Sequence, residues 1–202
     1  MAAREAMLDN PYAVRWDVEA ERMKQAMLPG VEEALTLGLA AGAKQIGMDW
    51  LGKSYEDGKE SLEEWVAQAA LAHALKRAGE LNANTEKKLR RALELWKQSG
   101  GTQQDLELRL ELILSQARAE TIGTTEVTEL YYKGEEEVWK RSKKVNMLVW
   151  VTAADERVCP TCAALHGKTT LLGLPFPGGY FPPSHARCAC IAMVLEVGKD
   201  HL

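Results

Sequence analysis

All four cysteines of the chain fall within residues 159–190, as Cys159 and Cys162 and then Cys188 and Cys190, with His185 just ahead of the second pair. Thiolate sulfur and imidazole nitrogen are the ligands that Zn2+ prefers, and a two-residue gap lets both sulfurs of a pair reach one ion. Cys159 and Cys162 supply one such gap and His185 with Cys188 another, so five donors compete for four tetrahedral places. The spacing points to Cys159, Cys162, His185 and Cys188 as the zinc ligands, with Cys190 left as a buried thiol. Exchange of Cys190 for Cys188 is the alternative, because a one-residue gap on a strand turns both sulfurs to the same face. His166 is a spare donor. Three other readings stay open, one of them that the sulfurs are simply unpaired buried thiols. Paired disulfides would staple the long intervening loop equally well if the protein leaves the cell. A thioredoxin-like redox pair would need a βαβ frame, of which only one strand and one short helix are expected here.

Three protein ligands and a water would make a catalytic zinc centre, but such a site also needs a base. The nearby acids are Asp155 and Glu156, in what reads as a solvated turn. The chain carries no HExxH helix, no Gly-rich phosphate loop and no nucleophile-elbow serine. A closed, structural metal site is therefore expected, and no enzymatic activity.

The elements that must position these residues divide near residue 144. Before it, residues 12–142 read as successive amphipathic helices. Trp16, Ala20, Met23 and Met27 recur at helical spacing up to Pro29-Gly30, where the first helix is expected to stop. A second carries Val31, Leu35, Leu39, Gly42 and Ile46, and its Gly38 and Gly42, one turn apart, invite a close helix–helix approach. Ser61 with Glu64 forms a capping box for a third helix. Leu89, Ala92, Leu93 and Trp96 mark a fourth, ending at Gly100-Gly101. Thr102 with Asp105 caps a fifth with Leu106, Leu110, Ile113 and Ala117 on its face, and a sixth runs from about Thr124 to Lys143. His73 reads as a hydrogen-bonded, partly buried side chain, and Trp16, Trp50, Trp65 and Trp96 as core anchors. After 144, Met147–Thr152 is rich in strand formers. Pro160–Leu165 can make a short helix with Pro at its start and Gly167 as its stop. Leu174–Pro183 is an irregular loop, and Ile191–Val197 is a strand with Ile191, Met193 and Leu195 on one face. The expected fold is thus a mainly α N-terminal helical region, 1–144, followed by a small α+β module, 145–202, holding the cysteine/histidine cluster. Removal of the metal is expected to melt the module and leave the helices folded.

A hydrophobic content of 46% with 27% charged residues is ordinary for a globular protein. The longest nearly uncharged apolar stretch, Ala34–Ala43, is half what a bilayer requires, so no membrane span is expected. No apolar leader follows Met1, which favours a reducing cytosol, where clustered cysteines more often bind metal than form disulfides. The net charge of −4 argues against a dedicated nucleic-acid binder. The basic cluster Lys140, Arg141, Lys143 and Lys144 follows Glu135–Glu137 and reads as a solvated helix end.

The order Trp150, Thr152, Asp155, Cys159, Cys162, Leu165, Gly167, then Pro182, Pro183, His185, Cys188 and Cys190, resembles the C-terminal domain of tailed-phage head morphogenesis (minor capsid) proteins, the phage Mu F-like family. Ala189 stands where that family usually has Arg, which removes a cation from the motif. Arg118, Ile122 and Thr125-Glu126 resemble the helix with a Thr-Glu pair that precedes this domain, so the likeness covers about residues 115–197. It implies a phage or prophage minor head protein, a non-enzymatic virion component present in few copies and associated with the portal vertex. Implied partners are the portal protein and capsid or scaffolding proteins, with packaged DNA a further candidate. The implied locations are the host cytoplasm during assembly and the interior of the virion head. A zinc-stabilised nucleic-acid-binding module travelling with the packaged genome is the alternative function.

Overall fold

A computed structural model describes residues 15–48, 61–153, 155, 156 and 158–197. It has four long helices, α1 (Trp16–Gln45), α2 (Leu62–Ser99), α3 (Gln103–Ile113) and α4 (Gln116–Ser142). Strand β1 (Val145–Val151), a short helix α5 (Pro160–Leu165), β2 (Thr169–Leu171) and β3 (Ile191–Val197) follow. The expected class, helices first and a small α+β module after, is what the chain adopts. The chain divides into two compact units, Met1–Pro29 with Leu71–Glu120 and Gly30–Ala70 with Thr121–Leu202. The expected core anchor Trp50 lies outside the described residues.

Six expected helices become four because two breaks do not occur. Pro29 sits inside α1 instead of ending it. Its ring removes one hydrogen bond and clashes with the preceding turn, a cost of about 3 kcal/mol. Burial of the stripe Val31, Ala34, Leu35, Gly38, Leu39, Gly42 and Ala43 accompanies the continuation. The third and fourth helices join as α2, whose Ala74, Ala78, Leu89 and Leu93 are all buried. Both capping boxes are present. The Ser61 amide donates to Glu64 Oε2 (2.9 Å) and the Glu64 amide to Ser61 Oγ (3.1 Å). Thr102 accepts from the Asp105 amide and donates its own amide back to Asp105 Oδ2 (2.8 Å). Ala117, expected on the fifth helix, belongs to α4, which begins eight residues earlier than its apolar pattern suggested.

In the first unit, Leu89, Leu93, Leu106 and Leu110 form the core, with Trp16, Trp96 and Ile113 packed on it. Trp96 Nε1 donates to the Thr102 carbonyl (2.8 Å) and Arg118 donates to the Ile113 carbonyl (2.8 Å), tying helix ends together. His73 is half-buried, as expected.

The second unit carries the cysteines. Its antiparallel sheet has the order β2-β1-β3. Leu148, Trp150 and Ala192 point to the inner face and are fully buried. Ile191, Met193 and Leu195 do share one face of β3, but it is the outer, exposed one. Small Ala192 takes the inner position because the bulky Trp150, its register partner, already fills that layer. One hydrophobic core runs from Leu39 and Ala43 of α1 and Ile46 just after it through Tyr132, Val138 and Trp139 of α4 to Leu148, Trp150, Phe176 and the three buried cysteines. The residues after 144 therefore share their core with two helices that precede them, α1 and α4. Trp139 and Trp150 are completely buried, whereas Trp16, Trp65 and Trp96 lie half-buried at the edges of their cores.

Glycines set the contact between α1 and α4. A Cβ on Gly42 would stand 2.8 Å from the Glu135 Cα, and one on Gly38 would fall on the Tyr131 carbonyl oxygen. Gly134 faces the Leu35 carbonyl in the same way. Trp139 Nε1 reaches across to the Gly42 carbonyl (3.2 Å). Glu135 is buried here, its Oε1 accepting from Gln45 Nε2 (2.8 Å), while Gln45 Oε1 accepts the Val194 amide of β3 (3.1 Å). Glu136 and Glu137 pair one turn on with Lys140 (2.8 Å) and Arg141 (2.6 Å); of the basic cluster expected at a solvated helix end, Lys140 is exposed but the Arg141 side chain is largely covered. Among the described residues no helix is long and apolar enough to cross a membrane.

Candidate metal centre

Local sequence builds the first half of the centre. Cys159 is the N-cap of α5 in extended conformation and Pro160 occupies the first helical position, where its fixed φ is preorganised. The Cys162 amide consequently donates to Cys159 Sγ (3.4 Å), which turns both sulfurs toward the same side. Gly167, at φ +75°, ends the turn as expected. The second half is the turn Ser184–Cys188, closed by the Cys188 amide donating to the His185 carbonyl (3.1 Å).

These two segments meet. His185 Nε2 lies 3.2 Å from Cys159 Sγ and 3.3 Å from Cys162 Sγ, and Cys162 Sγ lies 3.8 Å from Cys188 Sγ. Ligand atoms of Cys159, Cys162 and His185 lie within 4.8 Å of one another, as do those of Cys162, Cys188 and Cys190. Cys162 belongs to both groups and joins all five expected donors into one cluster. Zn–S bonds of about 2.3 Å in a tetrahedron place sulfurs about 3.8 Å apart, the Cys162–Cys188 separation. His166, the spare donor, belongs to neither group: its Nδ1 faces the Thr152 amide (3.2 Å) and hydroxyl (3.0 Å).

A cavity of about 40 Å³ opens at the cluster, lined by all four cysteines and His185 with Asp155 and Arg187 among its other walls. It has the size for one ion. His185 Nδ1 is 2.8 Å from the Ala186 carbonyl, so Nδ1 carries the proton and the Nε2 lone pair faces the sulfurs. Hydrogen bonding from the Cys162 backbone lowers the Cys159 thiol below its ordinary value. Burial pushes Cys188 up, but hydrogen bonds from the Cys190 and Ser184 backbone outweigh it and leave the thiol at about 7. Burial raises Cys162 and Cys190. Three contacting buried sulfurs cannot all ionise on their own; a divalent cation among them reverses that balance, because it coordinates the thiolate form. The donor types, their separations and the ion-sized cavity fit a bound metal ion.

A family model described as Phage Mu protein F like protein matches residues 68–193, well over half of the chain. The chain belongs to the phage Mu protein F-like family. The match takes in the whole cysteine/histidine cluster and begins within α2, far upstream of the residues that carry the motif. No curated protein and no solved structure matches the chain significantly.

Two features of this centre have no signal in spacing or composition. The Arg187 amide, between His185 and Cys188, donates to Thr125 Oγ1 of α4 (3.1 Å). Trp150 Nε1 is buried without a hydrogen-bond partner, in the same core cluster as Cys190. The Thr125-Glu126 pair could have been suspected of touching the motif only through the family likeness.

Proposed function

We propose that this member of the phage Mu F-like family is a minor head protein that acts in head morphogenesis at the portal vertex, without catalytic activity. Zinc held by Cys159, Cys162, His185 and Cys188 closes its C-terminal part, with Cys190 as the packed fifth sulfur. What supports the non-catalytic reading is the number of donors: five line one small cavity of about 40 Å³, enough to fill all four places around a zinc ion with protein ligands. Bound zinc would supply cross-linking, holding two segments that start 26 residues apart in sequence, as in Cys159 and His185. The protein's own residues orient the donors: Ala186 fixes the imidazole and the α5 cap aims the first pair of sulfurs.

In this reading the protein joins the assembling head in the host cytoplasm and ends inside the virion, in contact with portal and capsid or scaffolding proteins. Co-expression of the chain with the portal protein of the same phage, followed by capture of either partner, tests it. Stoichiometric recovery of both is expected, and it should be lost when Cys162→Ser prevents closure of the centre. Recovery of the chain with DNA in a salt-sensitive manner, and without portal protein, would overturn the reading in favour of a genome-bound module.

A further inference from the structure

Resting on the metal reading above, we propose that Thr125, on helix α4, is an outer-sphere positioning residue that sets how tightly the centre binds its metal. The turn carrying two of the ligands contains the residue Arg187 at φ +57°, a left-handed conformation that side-chain-bearing residues rarely adopt. Such a conformation persists where the surroundings over-determine it. Three contacts do so here. The Cys188 amide closes the turn on the His185 carbonyl (3.1 Å), the Ala186 carbonyl holds the His185 ring (2.8 Å), and the Arg187 amide is held by Thr125 Oγ1 (3.1 Å). The first two are internal to the turn. The Thr125 bond crosses 62 residues and ties the turn to helix α4.

The hydroxyl is itself oriented. It donates to the Thr121 carbonyl (2.7 Å), so its proton is committed and a lone pair faces Arg187. Arg187 is flanked directly by a ligand-bearing position on one side, Cys188, and two residues away on the other by His185. Rotation of its peptide would carry both donors off the cavity together. Arg187 is exposed and Thr125 is half-buried, so water can replace the lost acceptor. Loss of the hydroxyl therefore relaxes the turn without leaving a buried, unpaired amide, and the effect falls on ligand geometry more than on folding. Removing partners that orient metal ligands typically weakens metal affinity 10–100-fold.

The test is zinc affinity of the full chain, measured by competition with a chromophoric chelator, for wild type, Thr125→Val and Thr125→Ser. Thr125→Val keeps the shape and removes the hydroxyl; Thr125→Ser keeps the hydroxyl. The expected result is a 10–100-fold weaker affinity for Thr125→Val, near-wild-type affinity for Thr125→Ser, and metal-free thermal midpoints alike for all three. Equal zinc affinity for wild type and Thr125→Val overturns the proposal and leaves the metal reading intact. The same holds if Thr125→Ser is as weak as Thr125→Val, or if the metal-free Thr125→Val protein has itself lost its fold, since the residue is then a packing element. Wild-type protein that takes up no zinc overturns the metal reading and this inference with it.

Discussion

Replacing Glu135 by Gln should remove a pH dependence of stability that the wild-type protein carries. Glu135 is 2% exposed, beside the α1 backbone at Gly42, and its Oε2 has no hydrogen-bond partner. Burial raises its carboxyl from 4.5 to about 8, against a smaller opposing effect of the Gln45 amide. The folded state therefore holds a proton that the unfolded state has already released at any pH between these values. Stability contributed by this group is fully present below about 4.5 and is lost as pH rises through about 8. At about 1.4 kcal/mol per pH unit, the interval sets a ceiling of about 5 kcal/mol on the loss. Gln in place of Glu keeps the shape and the acceptor for Gln45 Nε2, and cannot ionise. Urea unfolding followed by tryptophan fluorescence is the assay, since Trp139 and Trp150 are fully buried in the same core. The difference between Glu135→Gln and wild type should be small at pH 5, grow in favour of the variant up to about pH 8 and level off by pH 9; taking the difference cancels titration of the cysteines and histidines common to both. A difference that is constant across that range, or one that favours wild type at pH 9, would refute the reasoning.

Three further outcomes follow from packing and caps. Gly38→Ala drives a methyl onto the Tyr131 carbonyl of a facing helix, whose backbone cannot yield, and should cost about 3 kcal/mol in urea unfolding. Gly79→Ala on α2 meets nothing within 4 Å and should instead stabilise by about 0.5–1 kcal/mol, so the two alanines are expected to differ in sign. Thr102→Ala removes the side chain that accepts from the Asp105 amide at the start of α3, and thermal unfolding should report a loss of about 1 kcal/mol.

The parts legible in the sequence are those fixed by local chemistry. Ser61-Glu64 and Thr102-Asp105 each satisfy two orphan amides within four residues, so the motif alone places a helix start. Cys159-Pro160 with Gly167 frames α5 for the same reason. The gathering of Cys159, Cys162, His185 and Cys188 was readable because metal-ligand spacing is a short-range rule applied twice. What was not readable depends on distant partners. Pro29 predicts a helix stop locally, yet α1 runs on where its apolar stripe is buried. Ile191, Met193 and Leu195 are the bulkier set on β3, but Trp150 on the neighbouring strand leaves room opposite it on the inner side only for Ala192. Glu135 reads as one of three solvated glutamates, and only the glycine contact of α1 with α4 buries it. The shared core changes one consequence as well. Because Cys162, Cys188 and Cys190 pack in the same cluster as Leu39, Tyr132 and Trp139, opening the centre should loosen α1 and α4 and not the segment after 144 alone.

Four of the five clustered donors are proposed to hold one metal ion. Elemental analysis of the full chain purified without chelator, combined with a count of thiols reactive toward a chromogenic disulfide before and after chelation, addresses it most directly. About one zinc per chain is expected, with cysteines that react slowly while it is bound and four reactive thiols once it is removed. Metal-free protein with its sulfurs paired as disulfides, or with four thiols that react at once, would contradict the proposal.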